Sequence, residues 1–193
     1  MIFEAICFAA EAHSGQYRKG TNIPYISHLI HVMKILCENN CKEVVIVAGI
    51  LHDVLEDTPV TVGELEAKFG AEAAFLVRGA TEIGKLSKTR KESDEASWKE
   101  RKQHTIHFLS EEATCDQLLV SSADKLDNLR AIRDDYGRLA ETLWSRFNAG
   151  KEEQKWYYTA IAAAFEKRAM EIRGPLKGIS DELTMIVGCL FDD

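Results

Sequence analysis

The chain has 193 residues, of which 46% are hydrophobic and 28% are charged, and this balance is ordinary for a globular protein long enough to bury a sizeable core. The net charge of −7 argues against general binding to nucleic acid, and no apolar run reaches the ~20 residues that a membrane-spanning helix needs. No basic stretch precedes an apolar one at the N-terminus, so we expect no secretory signal and a cytoplasmic location.

Apolar residues follow a helical spacing through almost the whole chain, and proline occurs only three times. We therefore predict an all-α fold, a single domain over residues 1–193 with about ten helices. The predicted helices cover residues 2–14, 25–39, 42–57, 61–68, 71–80, 97–110, 112–133, 137–147, 151–171 and 180–190. The last helix is expected to pack on the others.

The five cysteines form no Cys-x-x-Cys pair, and their number is odd. Most of them lie within apolar stretches. We therefore predict buried, reduced thiols, without a disulfide framework or a zinc–thiolate site.

Two connections between predicted helices have a distinctive composition. Residues 15–24 contain two glycines, a proline and the basic pair Arg18 and Lys19, which predicts a surface loop. Residues 84–97 carry seven charged side chains and scarcely an apolar one. This second composition fits a solvated linker and fits equally a lid that orders over a ligand, so both interpretations stay open.

The predicted helix 42–57 is apolar on every side until it reaches four ionisable residues. His52 lies one turn before Glu56, and Asp53 one turn before Asp57, so the four share a face. Burial of such groups is unfavourable unless a partner compensates, and a cation is the simplest partner for a neutral imidazole beside a carboxylate. A helix end that meets solvent is the alternative, but acidic residues there oppose the helix dipole. We interpret the segment as half of a metal site.

The helix predicted upstream contains two histidines. His28 shares an apolar stripe with Val32 and Ile35, so we expect it to point inward as a further ligand. A buried histidine that bonds within the core is the alternative interpretation. His31 lies on the charged face beside Lys34, and we expect it to be exposed and without a role in the site.

The predicted helix 112–133 also has an apolar stretch that meets polar residues. Asp124 and Asn128 align at i,i+4, whereas Asp127 is expected to point away toward exposed charge. A buried aspartate can also be a hydrogen-bonding link between helices. Together with His28, His52 and Asp53, Asp124 would complete a set of two nitrogen and two oxygen donors. Such a set suits Mn²⁺, Fe²⁺ or Zn²⁺.

Four segments carry a family resemblance: residues 18–21, 24–28, 52–58 and 123–128. In order and spacing they resemble the HD-domain metal-dependent phosphohydrolases. Within that family they are most similar to the hydrolase domain of RelA/SpoT proteins in its small stand-alone, metazoan SpoT-like form. The resemblance extends to about residue 170. It implies a helical HD-type bundle and an enzyme that removes pyrophosphate from the 3′ position of (p)ppGpp.

The resemblance also implies a role for each matching position. Four residues correspond to the ligands of one Mn²⁺ ion: His28, His52, Asp53 and Asp124. Glu56 and Asp57 correspond to the acidic pair that orients and deprotonates the attacking water. Arg18 and Lys19 correspond to a basic pair near the guanine base and the phosphates. Asn128 corresponds to a residue beside the sugar.

Some positions depart from the family pattern or are left open by it. Ala131 stands where some relatives carry a hydroxyl residue that holds the nucleotide, and His31 where relatives generally have a small or apolar residue. Lys99, Arg101 and Lys102 resemble a basic helix start near the substrate phosphates. The spacing does not decide which of the three points inward.

Three functions are weighed. The first is the hydrolysis of a small guanine nucleotide, without a nucleic-acid polymer or a membrane as partner and with homo-oligomer formation left open. The second is a phosphohydrolase of another phosphorylated nucleotide such as NADPH, because the same metal-bound water would serve both. The third is a regulatory module that binds a nucleotide without turnover. A domain that no longer catalyses would be expected to lack a metal ligand or the acidic pair, and this sequence retains both.

Overall fold

The structure is a computed structural model that describes residues 1–81, 95–172 and 174–191, with side chains from residue 98 onward in the second range. Ten α-helices cover most of these ranges, and β-structure within them is limited to one isolated bridge. The helices are α1 (Ile2–Ala12), α2 (Ile26–Glu38), α3 (Glu43–Leu51), α4 (Val54–Asp57), α5 (Val62–Phe69), α6 (Ala71–Ala80), α7 (Glu95–His107), α8 (Cys115–Leu139), α9 (Lys151–Glu171) and α10 (Leu176–Phe191). The predicted all-α fold is confirmed.

Helix α3 lies at the centre of the core, because apolar residues occupy all its faces and seven of its residues are buried. It packs against α1, α2, α6 and α8. Gly49 allows α2 to come close, since a Cβ at this position would clash with Cδ1 of Leu36 and lie 3.3 Å from Cγ1 of Val32. The close approach of the two helices sets the distance between the residues at their facing ends.

The predicted continuous helix 42–57 is wrong at one point, because the backbone turns at His52 and Asp53 between α3 and α4. Nδ1 of the His52 ring lies 2.8 Å from the carbonyl oxygen of Gly49. In an uninterrupted helix that oxygen would accept from the amide of Asp53. The side chain thus competes for the bond that would continue α3, and a new turn begins where the amides of Glu56 and Asp57 donate to the Asp53 carbonyl.

Helix α8 is longer than predicted. A reciprocal cap between Thr114 and Gln117 starts it, and it continues to Leu139. The helix predicted at 137–147 is instead the end of α8 followed by a 3₁₀ helix, Ala140–Arg146. A π-helical turn, Phe108–Glu112, follows α7.

The C-terminal helix begins earlier than predicted and packs against α8 and α9, as expected. The segment proposed as linker or lid lies outside the described residues as far as position 94, and its last three positions begin α7. In the described ranges, none of the helices is both long enough and apolar enough to cross a bilayer.

All five cysteines are free, but the prediction that they are buried is wrong. Cys7, Cys37 and Cys189 are exposed, and the other two are half-buried. The apolar stretches around them belong to amphipathic helices, and these three thiols lie on the faces that solvent reaches.

Candidate metal centre

Four side-chain atoms from three parts of the fold converge at one buried point. They are Nε2 of His28 on α2, Nε2 of His52 and Oδ2 of Asp53 in the turn after α3, and Oδ1 of Asp124 on α8. The two Nε2 atoms are 3.3 Å apart. Oδ2 of Asp53 lies 3.0 Å from the His52 nitrogen and 3.7 Å from that of His28, and Oδ1 of Asp124 lies 3.6 and 3.2 Å from them.

This spacing is that of ligands around one ion. Two donors at about 2.1 Å from a divalent ion, seen from it at an angle of about 90–125°, lie about 3.0–3.7 Å apart, which covers the five distances given above. Ligand atoms of His28, His52 and Asp124 all lie within 4.8 Å of one another, and Asp53 joins this group through its distances to the two histidines. The structure thus brings together the four residues that were predicted as metal ligands, and their nitrogen and oxygen donors are of the kind that a divalent ion accepts.

The far sides of both imidazole rings fix which nitrogen faces the cluster. Nδ1 of His28 lies 2.7 Å from Oδ2 of Asp127, and Nδ1 of His52 lies 2.8 Å from the carbonyl oxygen of Gly49. A carboxylate and a carbonyl only accept hydrogen bonds, so each Nδ1 donates. Both Nε2 atoms are therefore directed at the cluster, which is the arrangement that orients histidine ligands on a metal.

Within the cluster, the neighbouring charges shift the pKa values in the direction opposite to the effect of burial. Burial disfavours a charged imidazole, but the carboxylates of Asp53 and Asp124 outweigh it and hold the pKa of His52 well above its ordinary value. Burial disfavours the Asp53 carboxylate as well, yet positive His52 holds its pKa below the usual range. A proton on His52 thus supplies positive charge between two carboxylates, in the position that a divalent ion would take over.

Asp124 is held by two further side chains of its own helix. Burial disfavours its ionised form, but Lys125, with Nζ 2.6 Å from Oδ2, holds the pKa of the Asp124 carboxyl well below its ordinary value. Nδ2 of Asn128 donates to Oδ1 across 2.6 Å. The aspartate therefore stays ionised, with Oδ1 turned toward the two histidines.

The prediction that Asp127 points away is wrong. This residue is buried, and its carboxylate accepts the hydrogen bond from His28. Asp124, Asp127 and Asn128 stand at positions i, i+3 and i+4, which lie on one face of a helix, so the spacing itself contained the signal.

Tyr25 is a site residue that the sequence analysis missed. Its hydroxyl donates to Oδ2 of Asp53 across 2.6 Å, and its ring stacks on His13 with 5.0 Å between the ring centres. Burial, and then the charge of Asp53, raises the pKa of Tyr25 far above its ordinary value, so the hydroxyl remains a donor. The residue is the N-cap of α2 and stands one turn before the buried Leu29, so the predicted helix 25–39 already indicated that it points inward.

The predicted acidic pair lies next to the cluster, on α4. Carboxylate oxygens of Asp53, Glu56 and Asp57 all lie within 4.8 Å of one another, with Glu56 half-buried and Asp57 exposed. Nε2 of Gln16 donates to the carbonyl oxygen of Asp57 and ties this short helix to the first loop.

The pair faces a cavity of about 290 Å³, here called the acidic-pair cavity. Its lining includes Glu56, Asp57, Lys102, Ser121, Lys125 and Tyr157. Lys102 lies inside it, with Nζ 4.9 Å from the centre of the Tyr157 ring. Lys99 is exposed over Trp156, and the half-buried Arg101 does not line the cavity, so Lys102 is the residue of the three that faces the acidic pair.

A second cavity, of about 590 Å³ and here called the basic cavity, lies on the other side of the cluster. Its lining includes Arg18, Lys19, His31, Lys34, Ala131 and Arg146. Nη2 of Arg18 donates to Oδ1 of Asn128 across 2.8 Å, whereas Lys19 is exposed and donates to Asn148 across 3.1 Å. Both cavities are lined by Tyr25 and Asn128, so the cluster lies between them.

Comparison with known proteins agrees with this geometry. The HD domain family matches residues 5–154. The guanosine-3′,5′-bis(diphosphate) 3′-pyrophosphohydrolase MESH1 of Danio rerio is 39% identical over 148 residues, which are 75% of this chain and 74% of that one. A probable guanosine-3′,5′-bis(diphosphate) 3′-pyrophosphohydrolase of Synechocystis is 36% identical over 132 residues, but the matched part covers only 17% of its length.

A solved structure, described as a metazoan ortholog of SpoT that hydrolyzes ppGpp, is similar with a TM-score of 0.69 and 27% identity. The similarity covers 98% of this chain and 93% of that one. The family match extends over most of the chain, and the MESH1 match covers about three quarters of both proteins. The chain therefore belongs to the HD domain family, in the group of relatives that includes MESH1.

Proposed function

We propose that the chain is a metal-dependent hydrolase that converts guanosine 3′,5′-bis(diphosphate) to GDP and pyrophosphate. The observation that carries this proposal is that two histidine nitrogens meet the carboxylate oxygens of Asp53 and Asp124, and that Asp53 is also grouped with a second pair of carboxylates. The activity named for the MESH1 and Synechocystis relatives supports the choice of substrate.

Four residues would hold one Mn²⁺ ion: His28, His52, Asp53 and Asp124. Two nitrogen and two oxygen donors also suit Fe²⁺ or Zn²⁺, so Mn²⁺ is the proposed member of this set. A bound divalent ion lowers the pKa of its water and offsets negative charge at the attacked phosphorus.

The acidic pair supplies the proton chemistry. Glu56 is half-buried and close to Asp53, so it can accept the proton of a water that attacks the 3′-diphosphate. The new bond joins the water oxygen to phosphorus, and the bond from phosphorus to the 3′ oxygen breaks. That oxygen takes up a proton, and pyrophosphate is released with GDP. Asp57, at the cavity mouth, orients the water.

Residues of the basic cavity bind the nucleotide in this proposal. Arg18 presents a planar guanidinium that can stack on a purine or pair with phosphate oxygens. Lys19 would supply charge for phosphate, and Asn128, which lines the same cavity, would contact the sugar. A small nucleotide fits a cavity of about 590 Å³, and no polymer or membrane is needed as partner. The single domain over 1–193 and the cytoplasmic location stay predictions.

Product analysis on a panel of nucleotides tests the proposal. The purified chain is incubated with Mn²⁺ and ppGpp, pppGpp or NADPH, and the products are separated and quantified. We expect equal amounts of pyrophosphate and GDP from ppGpp, and no reaction after chelation. Orthophosphate as the only phosphorus product, turnover of NADPH alone, or binding of ppGpp without turnover would each contradict the proposal.

A further inference from the structure

His31 contacts the same carboxylate as the candidate ligand His28. Nδ1 of His31 lies 3.1 Å from Oδ1 of Asp127, and the other oxygen of that carboxylate lies 2.7 Å from Nδ1 of His28. The side chain of His31 is 61% exposed, whereas that of Asp127 is only 9% exposed. The prediction of an exposed residue agrees with the structure, but the contact with Asp127 was not expected.

The contact connects solvent to the cluster through three side chains in a row. His31 and the largely buried Asp127 both line the basic cavity, and His28 directs Nε2 at the other donors. A carboxylate held by one hydrogen bond can turn about its last torsion angle, while a donor on each oxygen fixes its plane. The plane of Asp127 in turn orients the ring of His28.

We propose that His31 is a positioning residue that acts on His28 through Asp127 and so strengthens metal binding. The proposal rests on the metal centre of the proposed function. It does not require His31 to stabilise the fold, because the His31 side chain is 61% exposed and water can take its place at the carboxylate when it is removed.

The affinity of the metal-free full chain for Mn²⁺ tests the proposal, with the absorption spectrum of Co²⁺-loaded protein as a second readout. Removal of a partner that orients a ligand costs ~10–100-fold in metal affinity, so for His31→Ala, one contact further out, we expect a loss of about 3–10-fold. The Co²⁺ bands should shift, while the melting temperature of the metal-free protein stays unchanged.

Two variants serve as rescue and control. In His31→Asn the amide nitrogen can take the place of Nδ1 and donate to Asp127, so its affinity should stay close to that of the unmodified chain. His107→Ala removes another exposed histidine, 3.3 Å from a carboxylate of Glu112 that is itself 60% exposed. That change should leave Mn²⁺ affinity unaltered.

A double-mutant cycle decides whether the effect passes through Asp127. Asp127→Asn should weaken Mn²⁺ binding by about 10–100-fold, and His31→Ala added to it should have little further effect. Equal affinities of His31→Ala and the unmodified chain would overturn the inference and leave the metal centre intact. The full His31 effect in the Asp127→Asn background would overturn it as well. If the unmodified chain binds no divalent ion, it is the proposed function that fails.

Discussion

Asn128 donates from Nδ2 to Oδ1 of Asp124, one turn earlier on the same helix, across 2.6 Å. Its amide oxygen accepts a hydrogen bond of 2.8 Å from Arg18. Because Oδ1 of Asp124 is also the oxygen that faces both histidines, one amide joins the first loop to the candidate metal centre. The loop that would hold the nucleotide is therefore fixed relative to the cluster that would cleave it.

Arg18→Ala should weaken substrate binding and leave metal binding alone. A hydrogen bond to a charged group contributes about 1.5–3 kcal/mol, so we expect KM for ppGpp to rise about 10- to 100-fold. Steady-state kinetics and a Mn²⁺ titration separate the two effects. Arg18→Lys keeps the positive charge but loses the planar guanidinium, so its KM should lie between those of the unmodified chain and the alanine variant. An unchanged KM for the alanine variant would exclude a contact with the nucleotide.

Glu56→Gln should lower turnover while the metal still binds. A positioned general base contributes about 10²–10⁴-fold, so kcat should fall within that range and Mn²⁺ affinity should change little. Glu66→Gln, an exposed change on α5, is the matched control and should behave like the unmodified chain. Loss of the metal from Glu56→Gln would mean that Glu56 is a ligand and not the base.

Metal binding should release a proton from His52. Burial lowers the pKa of this histidine, but the carboxylates of Asp53 and Asp124 raise it by more, so that His52 is protonated in the metal-free protein. Calorimetric titration with Mn²⁺ in two buffers of different ionisation enthalpy measures that proton. We expect proton release near neutral pH and tighter binding as the pH rises. Identical binding heats in the two buffers would contradict the release of a proton from His52.

In Asp53→Ala, metal binding and activity should disappear together, because the change removes a candidate ligand.

The stability of the metal-free protein should depend on pH in the opposite direction. Folding raises the pKa of His52 above its unfolded value of about 6.5. His52 therefore stabilises the fold fully below about pH 6.5, and this contribution is lost as the pH rises through its folded pKa. Asp53, with a lowered pKa, adds stability that is lost only as the pH falls into the acid range. Thermal melts in the presence of a chelator should therefore show a decline from pH 6 toward alkaline pH. A rise over that interval would refute the pairing.

Gly49→Ala should destabilise the fold and loosen the metal centre. The new methyl group would meet Leu36 and Val32 and force α2 away from α3, which costs about 1–3 kcal/mol for an overpacked core. Gly63→Ala on α5 is the matched control, because nothing lies within 4 Å of its Cβ and the change should stabilise the helix by about 0.5–1 kcal/mol. Urea denaturation compares the two. Equal midpoints would show that close helix packing at Gly49 is not required.

The all-α fold and the convergence of the four donors could be predicted, because helical period places His28, His52 and Asp124 at the ends of apolar stretches. The break after Leu51 could not, since it depends on a side chain that competes for a backbone carbonyl. The role of Tyr25 could not be predicted either, because helical period indicates the inward face but not that the hydroxyl meets a carboxylate 28 residues away. The inward direction of Asp127 follows from the same period, because positions 124, 127 and 128 share one face of a helix at i, i+3 and i+4.

Helix α8 supplies a candidate ligand, its lysine counter-charge, the carboxylate behind His28 and the amide that meets Arg18, all between positions 124 and 128. Each residue of an α-helix is rotated by about 100° from the one before it. One residue inserted or deleted between the Thr114 cap and this segment would turn all four side chains away from the cluster together. The length of this part of the chain is thus as much a requirement of the site as the identity of its residues.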